Sequence, residues 1–271
     1  AMVKPVLLTY DPIELIERFI HEYTLKHAPF MDIHFEQEQQ QHLFWEIADN
    51  HDIQYLTELF EKHVPHGYIA DGHHRTSITA IMHDRSLKGH LQGDYGQLLA
   101  AFFSSKEVQV LDFNRVVEGL TECSVTTFLA LLSKIVEIDV LEIPSRPSGK
   151  HELVMFLNRE WFRLSWKPEV LERFKDVPVL LDVHLLNELI LKDILKIDDI
   201  RTDFRVRYVE GNRGLEGLKE RVLKSEHRIG FVLHPIAMED FMTIADHDSV
   251  LPPKSTWFEP RMRNGLIVQE F

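Results

Sequence analysis

One stretch in the first third of the chain, Tyr68-Ile69-Ala70-Asp71-Gly72-His73-His74-Arg75-Thr76-Ser77, ends an apolar run in a dense packet of titratable groups. A glycine followed by two histidines and an arginine suits an anion. Gly72 lets the backbone come close, Arg75 can fork two N–H bonds onto a phosphate, and His73 and His74 add donors that change protonation near neutral pH. Asp71 runs against that pattern. A carboxylate beside a phosphate repels it unless it caps a helix, holds a metal ion, or takes a proton from an attacking hydroxyl.

The flanking residues say what must hold the packet in place. Gly67 to Ala70 reads as a short buried strand, and Thr76 to Asp84 has apolar residues at helical spacing. The packet then sits at a strand-to-helix turn, where unpaired backbone N–H groups and the positive end of the helix dipole favour negative charge. In α/β proteins such a turn faces the carboxyl ends of the strands, where ligands collect.

A second concentration lies near the end, in Leu251-Pro252-Pro253-Lys254-Ser255-Thr256-Trp257-Phe258-Glu259-Pro260. The proline pair stiffens the backbone, and Lys254, Ser255 and Thr256 offer one cation and two hydroxyls to phosphate oxygens. The upstream glycines of a P-loop are missing, and a rigid surface loop with a solvated lysine fits equally well. Between the two stretches, Asp112, Asn114 and Arg115 are polar residues in the apolar run 108–117. Asp112 reads as alternation on a half-buried strand and Arg115 as a second anion contact, with Asn114 a lesser candidate. Arg201, and Arg213 in a short Gly-x-x-Gly turn, are weaker candidates of the same kind.

Composition narrows the setting. The 271 residues are 44% hydrophobic and 27% charged, as in a globular domain or two packed lobes, and the formal net charge of -13 argues against a nucleic-acid or anionic-membrane surface. Cys123 is the only cysteine, which excludes a disulfide framework or a thiolate zinc site. No apolar run spans a membrane and no signal peptide is recognisable, so a cytoplasmic setting is expected. Ala1-Met2 reads as a cloning scar, and the chain as the carboxyl-terminal part of a longer protein.

The remaining elements alternate. Val3 to Thr9 reads as a strand, Asp11-Pro12 as the cap and first residue of a helix carrying Ile13, Ile16, Phe19, Ile20 and Tyr23, and Pro29 to Phe35 with Leu43 to Ile47 as a hairpin around Glu36 to Gln41. Asp52 to Lys62 is helical, 87–96 a glycine-bearing loop, Leu98 to Phe103 a strand, and Ile138 to Ile143 another. Pro144 to Gly149 is the clearest break, so lobes over 1–143 and 150–271 are expected. Beyond it come a hairpin around Asn158-Arg159, an apolar segment from Pro178 to Leu195 with His184 as a core residue, strands at 204–209 and 229–234, helices at 215–223 and 238–245, and a last strand from Gly265 to Gln269. The fold class is α/β, or α+β with mixed sheets.

The segments 68–75 and 252–260 resemble the two hallmark stretches of the bacterial domain-of-unknown-function 1015 family. Leu111 to Val117, Arg201-Thr202-Asp203 and Gly211 to Gly214 resemble its intermediate motifs, so the likeness runs from Val3 to the end. Members usually carry a further amino-terminal region. More distantly the family is similar to the ParB and sulfiredoxin superfamily, in which a Gly-x-His-Arg-like turn binds nucleotide phosphates, and which includes free-serine kinases with a similar Asp-Gly-His-x-Arg turn whose aspartate assists the serine hydroxyl. That likeness covers Asp71, Gly72, His73 and Arg75.

These readings together lead to a nucleotide-dependent phosphotransferase acting on a small hydroxyl-bearing metabolite such as free serine, using ATP or ADP with Mg2+. Asp71, His73 and His74 would be catalytic, and Gly72, Arg75, Arg115, Lys254, Ser255 and Thr256 would bind phosphate. A nucleotide sensor without turnover is the first alternative. A metal-dependent hydrolase built on His63, His66, Asp71, His73 and His74 is the second.

Overall fold

The structure, a computed structural model, describes residues 1–271 apart from Glu122 and Asp248. The chain divides into two compact units, one of residues 1–109 with 260–271 and one of residues 110–259. The proline-rich segment 144–149, expected to separate the lobes, lies inside the second unit. There Arg146 fastens it by donating to the Asp112 carboxylate at 2.8 Å and to the Gly211 carbonyl at 2.7 Å.

The first unit opens with β1 (Val6–Tyr10) and α1 (Glu14–Lys26), followed by the hairpin β2 (Met31–Phe35) and β3 (Gln40–Phe44) and by α2 (Asn50–His63). Then come β4 (Tyr68–Asp71), α3 (His73–Leu87) and β5 (Ala100–Ser104). The strands β4, β1 and β5 form a mixed sheet in that order, with β1 parallel to β5 and antiparallel to β4. Tyr10, Ile16 and Leu59 tie this sheet to α1 and α2 through an apolar cluster. The helix α2 takes Asp49 as its cap, the carboxylate accepting from the backbone of His51 and Asp52.

Some start and stop signals act differently from expectation. Ile13, not Asp11, caps α1, and it makes no side-chain cap bond, so the Asp-Pro pair precedes the helix without closing its first turn. The expected strand from Gly265 to Gln269 is reduced to a single bridge between Met2 and Gln269; Gly265 turns the chain at φ 79° and gives its N–H to the Val3 carbonyl.

In the second unit β6 (Gln109–Leu111) leads into β7 (Phe113–Glu118), α4 (Val125–Leu132), β8 (Val136–Leu141), β9 (Glu152–Leu157) and β10 (Glu160–Trp166). After α5 (Pro168–Leu171), the apolar segment 178–195 folds as α6 (Asp182–Leu185) running into a π-helical stretch at Leu186–Lys192. Next are β11 (Val206–Glu210), α7 (Gly214–Val222), β12 (Arg228–Leu233), α8 (Met238–Asp246) and β13 (Trp257–Glu259). Six strands, ordered β11-β7-β12-β9-β10-β8, make an antiparallel sheet, while β6 and β13 form a two-stranded ribbon. Val116, Val154, Phe156, Val232 and Leu218 of α7 fill its core. The class is therefore α/β with a mixed sheet in one unit and an antiparallel one in the other. Among the described residues no helix is long and apolar enough to cross a membrane.

Candidate functional site

The Asp71 to Arg75 turn forms as the sequence pattern requires. β4 ends at Asp71, Gly72 takes a left-handed conformation (φ 106°, ψ 21°), and α3 starts at His73. Only glycine adopts that conformation without strain, and a Cβ there would meet the Arg75 guanidinium at 3.0 Å and Val6 at 3.1 Å. The cap position thus belongs to Gly72, which rules out the reading of Asp71 as N-cap. No side chain caps α3, and its first turn holds no acidic residue. The first helical bond runs from the Thr76 N–H to the Gly72 carbonyl, so the N–H groups of His73, His74 and Arg75 have no acceptor within the helix.

Sheet register explains what Asp71 does instead. Because β4 runs antiparallel to β1, with Asp71 opposite Leu7, the turn lies beside the amino-terminal end of β1 rather than at the carboxyl ends of the parallel pair. That places Asp71 against the residues entering β1. Lys4 donates to Asp71 Oδ2 at 3.0 Å and Arg75 to the same oxygen at 3.1 Å. Arg75 also donates to the carbonyls of Lys4 at 2.7 Å and Pro5 at 2.5 Å, so it ties the start of β1 to the helix.

The charges follow from this geometry. Partial burial would raise the Asp71 carboxyl, but the bond and charge of Lys4, with the charges of Arg75 and Arg261, outweigh it and hold the group below its ordinary value. His73 has a surface-exposed side, yet the protein packed around it desolvates the ring enough to lower its pKa, against the raising effect of Asp71 and with His74 adding to the lowering. At neutral pH the turn then offers an ionised carboxylate, a neutral His73 imidazole, exposed His74 and two cations. Lys4 and Arg261 carry no motif signal; proximity in space, set by the β1–β4 pairing for Lys4, is what reveals them.

The remaining candidates lie in the second unit and are not equivalent. Arg115 is fully buried, donates to the Phe113 carbonyl at 2.5 Å and stacks over Tyr208 at 4.6 Å; burial lowers its pKa to about 10 against the raising effect of Tyr208. Asn114, also buried, bonds Asp112 and accepts from the Leu233 N–H at 2.9 Å. Asp112, expected on a half-buried strand, has no exposed side-chain surface, and β7 is buried along nearly its whole length. Arg201 is held by Asp199 at 2.9 Å and Arg213 lies 3.7 Å from Glu210, both mostly exposed. Lys254, exposed and at φ 58°, has its ammonium 5.6 Å from the Phe113 ring centre. Ser255 is buried and donates to the Pro252 carbonyl at 2.5 Å, while Thr256 is partly buried.

The histidines proposed as metal ligands do not gather. Among the described residues the group close enough to hold an ion is Asp49, His51 and Asp52, exposed at the start of α2, and it includes none of His63, His66, Asp71, His73 or His74.

Fold and turn define an α/β protein with a half-exposed ionic cluster at an uncapped helix start. The chain belongs to the DUF1015 family, proteins of unknown function, whose model matches residues 1–184. No curated protein matches the sequence. Similar solved structures include a mutant free serine kinase in complex with AMP (15% identity, 98% of this chain and 93% of that chain, TM-score 0.40). Others are a conserved hypothetical protein from Pyrococcus furiosus (15%, 97% and 97%, TM-score 0.41) and SbnI with a C-terminal truncation from Staphylococcus aureus (9%, 97% and 83%, TM-score 0.41).

Proposed function

We propose that this protein is a nucleotide-dependent phosphotransferase acting on a small hydroxyl-bearing metabolite, with the donor phosphates held at the Gly72 turn. One observation carries the reading: Lys4 and Arg75 meet on a single oxygen of Asp71, beside a helix start whose first three N–H groups have no acceptor within the helix and whose first turn holds no acidic residue. Two cations against one carboxylate leave a local positive excess, which the helix dipole reinforces. In the transfer, a substrate hydroxyl oxygen bonds to the terminal phosphorus of ATP or ADP. The bond to the bridging oxygen breaks, and the nucleotide leaves with that electron pair.

The hydroxyl proton goes to His73 in this reading. A general base works best with a pKa near the working pH; Asp71 is held too acidic for the task, whereas His73 is neutral and exposed. Asp71 orients Lys4 and Arg75, and its second oxygen, used by neither cation, suits Mg2+, which takes a carboxylate together with phosphate oxygens. Mg2+ bound there would supply charge neutralisation on the phosphates.

Calorimetry of the full chain with ATP and ADP, paired with 31P NMR of transfer to a panel of serine, threonine, glycerol and sugars, tests the proposal. Lys4→Met is expected to weaken nucleotide binding about tenfold, the loss of one charge-assisted bond. His73→Ala is expected to slow transfer by about 10²-fold or more while affinity is kept. If neither nucleotide binds, the proposal is wrong. Tight binding without product supports the second reading, a nucleotide sensor.

A further inference from the structure

The six-stranded sheet of the second unit ends in β11 on one side and β8 on the other, and the two edges are finished differently. At the β11 edge the Glu118 N–H bonds the Arg205 carbonyl, so the register turns the backbone groups of Val206 and Tyr208 outward. The chain itself meets them. The Val206 N–H donates to the Asp203 carbonyl at 3.2 Å, and the Tyr208 carbonyl accepts from Arg221 at 2.6 Å.

At the β8 edge the Lys167 N–H bonds the Ile135 carbonyl at 3.1 Å. With Val136 opposite Trp166 and an unbroken register, residues 137, 139 and 141 then exchange their bonds with β10. The N–H and C=O groups of Ile138 and Val140 point outward, and among the described residues no backbone or side-chain group meets them. Apolar side chains accompany this bare edge: Val140 is 65% exposed and Ile143, just past the strand, 80%. Proteins usually blunt such an edge with a proline, a bulge or a covering segment, and β8 carries neither proline nor bulge.

The charges on the strand select what fits it. Glu137 and Asp139 lie on one face of β8, Ile138 and Val140 on the other, and Glu142 follows; all three carboxylates are exposed. Nearby cations do not neutralise them. Arg163, opposite Asp139, pairs with Glu152 at 3.0 Å, and Lys167, 3.5 Å from Glu137, leaves that carboxylate 70% exposed. A second copy pairing through Ile138 and Val140 would set Asp139 against its own counterpart, in a chain of formal charge -13, and like charges across strands are destabilising. A strand that alternates cationic and apolar residues matches both faces.

We propose that the β8 edge receives an extended basic segment of a partner protein, which adds a strand to the sheet. Main-chain bonds to Ile138 and Val140 would hold the segment, its lysines or arginines would face Glu137 and Asp139, and its apolar residues would lie beside Val140. The edge belongs to the second unit alone, and this assignment and the nucleotide reading can each fail without the other.

Three hexapeptides titrated into the full chain and followed by NMR test the proposal: acetyl-Lys-Val-Lys-Val-Lys-Val-amide, its glutamate counterpart, and the lysine peptide N-methylated throughout. The third keeps the charges and loses the main-chain donors. The unmethylated lysine peptide is expected to shift the amides of 136–141 saturably and to bind at least tenfold more tightly than the other two. Val140→Pro removes an outward N–H that has no acceptor in the fold, so it is expected to keep the protein folded and weaken binding at least tenfold. Should the proline disturb the strand, the double variant Glu137→Lys with Asp139→Lys gives a second readout, because it keeps the edge and is expected to transfer the preference to the glutamate peptide. Equal binding of the lysine peptide and its N-methylated form, shifts centred away from β8, or an unchanged preference in the double variant would each overturn the proposal. So would a dimer in sedimentation that Val140→Pro disperses, since a second copy would then occupy the edge.

Discussion

In the first unit Asp71 lies between Lys4 at 3.0 Å and Arg75 at 3.1 Å and keeps 36% of its side chain exposed; in the second, Asp112 meets Arg146 at 2.8 Å with none exposed. Both aspartates belong to motif segments and both face an arginine, so a sequence treats them alike. Burial separates them. A pair whose carboxylate is fully buried and whose arginine also reaches a carbonyl, as Arg146 does to Gly211, holds three chain segments together. An ionic cluster still open to water can exchange a partner for a phosphate oxygen at small cost, because exposed pairs contribute little to stability. The first arrangement suits function and the second suits architecture.

The comparison is tested most directly by cutting each pair. Arg146→Ala leaves the Asp112 carboxylate buried without a cation and is expected to destabilise the second unit by about 3 kcal/mol. Lys4→Ala, with both partners partly exposed, is expected to cost about 1 kcal/mol or less. Urea denaturation followed by probes in each unit reads both values. Equal losses would remove the distinction drawn here.

Next in size are the glycines beside each aspartate. A Cβ on Gly211 would lie 2.5 Å from Asp112 Oδ1 and 2.6 Å from its carbonyl oxygen, so Gly211→Ala must displace backbone and is expected to cost about 1–3 kcal/mol. Gly72→Ala meets the movable end of Arg75 and Val6, but it forces φ 106° on a residue with a side chain, for about 1–2 kcal/mol. The two should differ in function as well. Only the Gly72 variant is expected to lower nucleotide affinity in calorimetry, since it displaces Arg75 and the first N–H groups of α3.

Local pattern carried much of this architecture. The apolar run into Gly72 and the spacing of Ile16, Phe19, Ile20 and Tyr23 appear where their periodicity places them, whereas the turn expected over Glu36 to Gln41 is shorter, because Gln40 and Gln41 already pair with Phe35 and His34 in the hairpin. Facts that depend on distant pairing did not show. Lys4 reaches Asp71 because β1 and β4 run antiparallel, which no residue near either position signals. Arg115 looks like an anion contact in sequence because charge is visible there and burial is not; β7 lies between β11 and β12, and its arginine ends stacked on Tyr208. The segment Pro144 to Gly149 has the composition of a linker, yet Arg146 pins it to Asp112. Asp182, which accepts from the Trp166 indole and the His151 N–H, was invisible for the same reason.

The smallest expected effect is the pH dependence of the two shifted aspartates, and its sign tells the units apart. Asp71 is held below the ordinary value of 3.8, so the folded state binds its proton less readily than the unfolded chain does. Its contribution is present above that value and is lost as pH falls through the folded one. Asp182 is raised above 3.8 by burial, so the folded state protonates first, and stability is gained as pH falls through the raised value toward the ordinary one. Acidification should first favour the second unit through Asp182 and then weaken the first through Asp71. With more than a third of its side chain exposed, Asp71 is screened by solvent, and about 1 kcal/mol is the upper limit for its share. Unfolding of Asp71→Asn and Asp182→Asn proteins against pH checks this: the first should flatten the loss below 3.8 and the second the gain above it. Shifts of the same sign in both variants would mean that Lys4 and Arg75 do not hold Asp71 in its ionised form, and the electrostatic basis for a phosphate site at Gly72 would go with them.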